Sequence, residues 1–198
     1  MDEIKQTLEY YDNNAEKFLS DTIDVEFGEL QGKFAAMLPA GGRILDLGCG
    51  SGRDSLAFLK AGFEVDAVDG SQKMVEAAKR LTGLPVVHAL FGDYEPIREY
   101  DGIWACSSLL HVKSNELSYL ISKYAKALKP RGVFYLSFKL GDYEGLRNGR
   151  WFTDLTEASF RALVDTIDNI EIEKIDITAD VRPGRSSEKW LNAWCIRV

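Results

Sequence analysis

Cysteine and histidine are scarce in this 198-residue chain, and their scarcity excludes several functions at once. The three cysteines, Cys49, Cys106 and Cys195, are odd in number, widely spaced and without a Cys-x-x-Cys pair, which suits a reducing compartment. The two histidines, His88 and His111, stand too far apart for zinc-ligand spacing, so no metal site is expected. Long apolar runs are missing as well. None approaches the roughly 20 residues needed to cross a bilayer, and the opening Met-Asp-Glu-Ile-Lys-Gln lacks both the basic and the apolar part of a secretory signal. A cytoplasmic protein with no membrane association is expected. Positive charge is also in deficit: 24 Lys and Arg against 31 Asp and Glu leave a net charge of −7. Nucleic-acid affinity rests on clustered cations that neutralise phosphates, so a small-molecule partner is favoured and no nucleic acid is expected.

What is present fits one domain spanning 1–198, expected as a monomer or weak dimer. Apolar residues make up 45% and charged residues 28%, the balance of an ordinary globular chain. No internal repeat, low-complexity tract or composition break divides it. Ile4, Leu8, Tyr11, Ala15 and Phe18 recur at helical spacing and predict a helix over 2–19; a second is predicted over 26–38, and together they form N-terminal cap helices within 1–40. From Arg43 the pattern becomes short apolar strands alternating with helices, the signature of βαβ units and a parallel sheet. Strands are predicted at 43–47, 64–68, 86–90, 101–106 and 132–138, with helices near 53–61, 72–81 and 115–128. Asp154-Leu-Thr-Glu157 has the form of a capping box that opens a helix to about Val164. Two strands follow, the first with a bulge near Glu173-Lys174 and the last, Trp190–Ile196, buried on both faces.

Chemistry concentrates at Ile44-Leu-Asp-Leu-Gly-Cys-Gly-Ser-Gly52, an apolar strand running into a glycine loop at a helix start. Glycine is needed where backbone turns tightly and approaches a ligand closely. The spacing Gly48-x-Gly50-x-Gly52 differs from the Gly-x-Gly-x-x-Gly of dinucleotide sites, and the acid inside the strand, Asp46, would repel a pyrophosphate but suit a cation. Asp69 ends the next strand about twenty residues on, where a carboxylate can accept from both ribose hydroxyls.

These segments, with Val-Asp69-Gly-Ser-Gln-Lys-Met74, Tyr-Asp101-Gly-Ile-Trp-Ala-Cys-Ser-Ser-Leu-Leu-His111 and Leu-Lys-Pro-Arg-Gly-Val133, resemble the ordered motifs of class I S-adenosylmethionine-dependent methyltransferases. The tail Arg182–Asn192 is similar to that of a small bacterial subgroup. The resemblance implies a three-layer α/β/α sandwich around a Rossmann-like, mostly parallel sheet of seven strands, order 3-2-1-4-5-7-6, the last strand antiparallel. It implies S-adenosylmethionine as cofactor and S-adenosylhomocysteine as product. Asp46 and the backbone of Gly48, Cys49, Gly50 and Gly52 would hold the methionine moiety. Asp69, followed by Gly70 and Ser71, would hold the ribose, Met74 and Phe91 would flank the adenine, and Cys106 would line the donor site through its backbone. Many relatives place an acid directly after the third strand; here that position is Leu90, so backbone at Leu90 and Phe91 takes over the reading and contact by Asp93 is in doubt.

On the acceptor side, His111 follows the fourth strand and is the candidate general base. Strand four lacks the Asn/Asp-Pro-Pro-Tyr/Phe signature of enzymes that methylate exocyclic or amide nitrogens. The cover is expected from Tyr10 or Tyr11 and from a lid segment at 141–153. Arg53 and Arg150, with Arg182, Arg185, Trp151 and Trp190, are candidates for a pocket holding a planar or anionic acceptor.

Overall fold

The computed structural model describes residues 3–22, 28–182, 184–185 and 187–198. Its sheet is built from β1 (Arg43–Leu47), β2 (Glu64–Asp69), β3 (Val87–His88), β4 (Tyr100–Ala105), β5 (Leu128–Lys139), β8 (Ile170–Ala179) and β9 (Lys189–Arg197). Between β5 and β8 lies a separate hairpin of β6 (Glu144–Arg147) and β7 (Arg150–Thr153). The sheet order is β3-β2-β1-β4-β5-β9-β8, with β9 antiparallel to both neighbours. Counted without the hairpin, this is the expected 3-2-1-4-5-7-6. The expected bulge is present too: the pairing of β8 with β9 slips between Ile172 and Lys174.

Helices cover both faces. α3 (Gly28–Ala35), α4 (Arg53–Lys60) and α5 (Gln72–Thr82) lie on one side, where Phe34 and Phe58 pack on Ile44, Trp104, Tyr135 and Trp194. α6 (Ser114–Ala125) and α7 (Glu157–Val164) lie on the other, with Leu117, Leu120, Ile121 and Phe160 against Ile103, Phe134 and Leu136. Strand side chains alternate between faces, which is why neighbouring Phe134 and Tyr135 belong to different clusters. Among the described residues no helix is long and apolar enough to cross a membrane.

Two expectations change. The N-terminal helix is two, α1 (Glu3–Asn13) and α2 (Ala15–Thr22), divided at Asn14, whose side-chain amide donates to the Tyr10 carbonyl at 2.8 Å. The side chain of Phe18 lies outside the described residues, as do 26 and 27 of the second predicted helix. The capping box belongs to Thr156 and Ser159 rather than to Asp154 and Glu157. Asp154 is drawn elsewhere, its N–H donating to the Tyr143 carbonyl and its carboxylate 2.6 Å from Arg147, so the helix starts two positions later. The segment 141–153 is folded as the β6–β7 hairpin, with β7 packed on α1.

The aromatic face of the sheet is tied to the helix after the glycine loop. Trp104, fully buried and stacked on Tyr135 at 3.9 Å between centroids, donates its indole N–H to Asp54 at 2.8 Å. Asp54 also accepts from Gln31 at 2.7 Å and from Arg53 at 2.7 Å. Trp104→Phe would leave this buried carboxylate short of one donor, a deficit of about 1–3 kcal/mol. A loss in that range is the expected outcome of urea unfolding for this variant.

Candidate active site

At the carboxyl ends of the parallel strands the sheet opens into a cavity of about 650 Å³. Strands β1 and β4 diverge here towards helices on opposite faces of the sheet, and the gap between them is where an α/β sheet accepts ligands. The glycine loop forms one wall. Gly48, Gly50 and Gly52 all have positive φ, at 80°, 54° and 82°, which side-chain-bearing residues seldom adopt. At Gly48 a Cβ would also stand 2.4 Å from Ser108 Cβ and 3.2 Å from Phe91.

Two acids serve this loop. Asp69 closes it by accepting from the Gly50 N–H and the Ser71 N–H, both at 2.8 Å. Burial raises its carboxyl above the ordinary range, against the opposing effect of those backbone donors. Asp46 is buried beneath the loop and accepts from Ser55 Oγ at 2.5 Å. Burial, reinforced by the nearby Asp54 charge, pushes it up to about 8. The Arg53 charge offsets this only in part, and a cationic ligand in the cavity would ease the buried carboxyl further. Among the described residues, no cluster of three or more His, Cys, Asp or Glu is arranged to hold a metal ion.

Most residues expected at the site do line this one cavity: Asp46, Gly48, Cys49, Gly50, Asp69, Gly70, Met74, Leu90, Phe91 and Cys106 on the loop side, Tyr11, Arg53, His111 and Arg150 on the other. Asp93 lines it as well. Three expected residues do not. Gly52 packs on α5, where a Cβ would meet Ala78 at 3.0 Å. Ser71 caps α5, accepting from the Met74 N–H at 3.2 Å. Trp151 contributes main chain only: its carbonyl takes the His111 Nδ1 proton at 2.5 Å, and its N–H donates to Thr7 Oγ1 at 2.9 Å. The buried Cys106 thiol is pushed up to about 12 by burial and by Asp54, which leaves it no thiolate character at neutral pH.

The opposite wall is a chain of contacts. Since Nδ1 gives its proton to the Trp151 carbonyl, His111 Nε2 is the accepting nitrogen, and the Tyr11 hydroxyl donates to it at 2.8 Å. The Tyr11 oxygen in turn accepts from Arg150 Nη1 at 3.4 Å. Burial, with Arg150 adding to it, holds His111 down at about 4 despite the hydrogen bond to Trp151, so the ring is neutral at physiological pH. Burial raises the Tyr11 phenol, with Arg150 opposing.

Some residues here were not signalled by the sequence. Asp12 reaches α5 from α1, accepting from Ser71 Oγ at 2.6 Å and the Lys73 N–H at 3.1 Å. Ser108 is buried in the cavity wall and, among the described residues, its hydroxyl has no partner. No local pattern marks either one, because their neighbours come from distant parts of the chain.

Comparison with known proteins agrees with this geometry. A family model described as a methyltransferase domain matches residues 44–132. The putative methyltransferase YqeM of Bacillus subtilis is 32% identical over 118 residues, 54% of this chain and 48% of its own length. The match thus spans about half the length of that relative. An uncharacterised methyltransferase of Geobacillus kaustophilus is 27% identical over 87% of this chain and 80% of its own. In structure, the 1,6-didemethyltoxoflavin-N1-methyltransferase of Burkholderia thailandensis superposes with a TM-score of 0.76 at 19% identity, covering 98% of this chain and 86% of that one. With the sheet order, the glycine loop and the acid after β2 all in their places, the chain is similar to methyltransferase domains over residues 44–132 and shares the fold of S-adenosylmethionine-dependent methyltransferases.

Proposed function

We propose that this chain transfers the methyl group of S-adenosylmethionine to a small molecule held in the same cavity, leaving S-adenosylhomocysteine. The observation that carries this reading is that one cavity runs unbroken from Gly48, Gly50 and Asp69 to Tyr11, His111 and Arg150. Methyl transfer is an in-line displacement, so donor and acceptor must share one space within about 3–3.5 Å of each other. The net charge of −7 supports a small acceptor over a nucleic acid, and the three free cysteines support a reducing, cytoplasmic setting. The Burkholderia structure is described with both 1,6-didemethyltoxoflavin and S-adenosylhomocysteine bound, a precedent for a small acceptor in this fold.

When bound, the cofactor's sulfonium supplies the electrophilic methyl. The chain supplies position and charge. Asp46 meets the cationic end, with the Gly48 and Gly50 backbone alongside. Asp69 holds the ribose through lone pairs its backbone donors leave open. Met74 and Phe91 would flank the adenine, with Leu90 and Gly70 beside them on the same wall, and the Cys106 backbone would line the donor site. A proton released by an acceptor oxygen or nitrogen passes to the Tyr11 oxygen as the Tyr11 proton moves to His111 Nε2. At about 4 the imidazole is a weak base, so an acceptor already ionised needs nothing from it.

Calorimetry with S-adenosylhomocysteine and with NAD tests the cofactor site: the first is expected to bind and the second not, and the opposite result would overturn the reading. Asp69→Asn is expected to weaken adenosyl binding at least tenfold, as loss of a charge-assisted hydrogen bond of about 1.5–3 kcal/mol requires. Asp46 gives a second prediction. Its folded carboxyl is raised, so its contribution to stability is full below the unfolded value near 4 and is lost as pH rises towards 8. Without cofactor, Asp46→Asn is therefore expected to unfold at higher temperature than the parent at pH 8.5, the gap closing by pH 5, while it binds S-adenosylmethionine more weakly.

A further inference from the structure

Four arginines border the cavity, and they are not equivalent. Arg53 is held by Asp54, Nε to Oδ1 at 2.7 Å. Arg182 is held by Asp180 at 2.5 Å, in a set that also includes a 3.0 Å bond from the Trp190 indole to the same carboxylate. Arg185 lies 3.8 Å from Glu188. Lys139, also on the wall, is paired with Glu188. Arg150 differs. Among the described residues no ion pair within 4.0 Å involves it; its one hydrogen bond runs to the neutral Tyr11 phenol, and its Nε is buried with no partner.

Its surroundings keep it in place without neutralising it. The guanidinium carbon lies 4.4 Å from the Tyr10 ring centre, 5.6 Å from Tyr11 and 5.1 Å from Phe152. Aromatic faces attract a cation but carry no charge, and a guanidinium does not escape its charge by losing a proton. A partly desolvated cation without a counter-charge is unfavourable unless a ligand brings one. In a chain with an excess of 31 acids over 24 bases, an arginine left without a carboxylate at the mouth of a cavity is conspicuous. The adjoining wall, with Leu8, Leu110, Val112 and Phe152, is apolar.

We propose that Arg150 receives a carboxylate carried by the methyl acceptor, which places the acceptor among carboxylic acids with an aromatic or aliphatic body. The inference rests on the reading of this cavity as a methyl-transfer site. A planar carboxylate matches the guanidinium fork, and the rings around Arg150 fix that fork before the ligand arrives, which limits the ordering cost of binding. A phosphate dianion fits less well, because the other cations on the wall are already paired with Asp54, Asp180 and Glu188.

The test uses the full chain saturated with S-adenosylhomocysteine. A panel of aryl and alkyl monocarboxylates is titrated by calorimetry, each beside its neutral primary amide, and phenyl phosphate is included as the competing anion. The acids that bind are expected to do so at least tenfold more tightly than their amides. Arg150→Met is expected to remove that preference and Arg150→Lys to restore part of it, with S-adenosylhomocysteine affinity changed less than threefold in both. The proposal is overturned if no acid outbinds its amide on the parent protein, a comparison that needs no variant to fold. It also falls if phenyl phosphate binds more tightly than every carboxylate, or if Arg150→Met weakens S-adenosylhomocysteine as much as the acids, which would assign the guanidinium to the cofactor's own carboxylate. Failure of the parent to bind S-adenosylhomocysteine at all would instead sink the methyltransfer reading beneath it.

Discussion

The hydrogen bond from the Trp104 indole to Asp54 joins the middle of the sheet to the helix that follows the glycine loop. Trp104 is on β4, Asp54 is in the first turn of α4, and Gln31 brings α3 to the same carboxylate. With α4 fastened at its first turn, the loop between β1 and α4 has little freedom, and its three glycines are held with their backbone against the cavity. The same acid raises Asp46 and Cys106 by its charge. One interaction thus sets both the shape of the donor wall and its electrostatics.

The two ends of the cavity carry opposite needs. Beneath the loop, Asp46 and Asp69 are carboxyls raised by burial, and both are eased by a cation or by hydroxyl donors. Across the cavity stands Arg150, a cation with rings for neighbours and, among the described residues, no acid within 4.0 Å. Burying charges of both signs on one wall would let them cancel; keeping them apart leaves each end with an unmet requirement that a two-part ligand can satisfy. The cost in stability is borne by the dense aromatic packing of Phe34, Phe58, Trp104 and Tyr135 beneath.

The parts of this arrangement that were legible in the sequence are those encoded by short-range periodicity. The strands and helices followed from alternating apolar runs, the order of the sheet came from the resemblance to methyltransferases, and Asp46, Gly48, Gly50 and Asp69 declared themselves because acid and glycine sit at fixed offsets from a strand end. The β8 irregularity was visible as a slip from even to odd isoleucines, Ile172 to Ile175. The cap at Asp154 was misplaced because the competing partner, Arg147, belongs to a hairpin that no alternating run announces. The join of Tyr11 to His111 links positions 100 apart, and Arg150 looked no different from its paired neighbours Arg182 and Arg185. Whether an arginine has an acid beside it is decided by tertiary packing, and local pattern carries no trace of it.

α1 presents Thr7, Tyr11 and Asp12 to three different walls: the hairpin through the Trp151 N–H, the turn after β4 through His111, and the start of α5 through Ser71. A helix of eleven residues transmits displacement along its length as a rod. Any displacement of α1 would therefore reach all three contacts at once, and both ends of the cavity share this one helix as their roof.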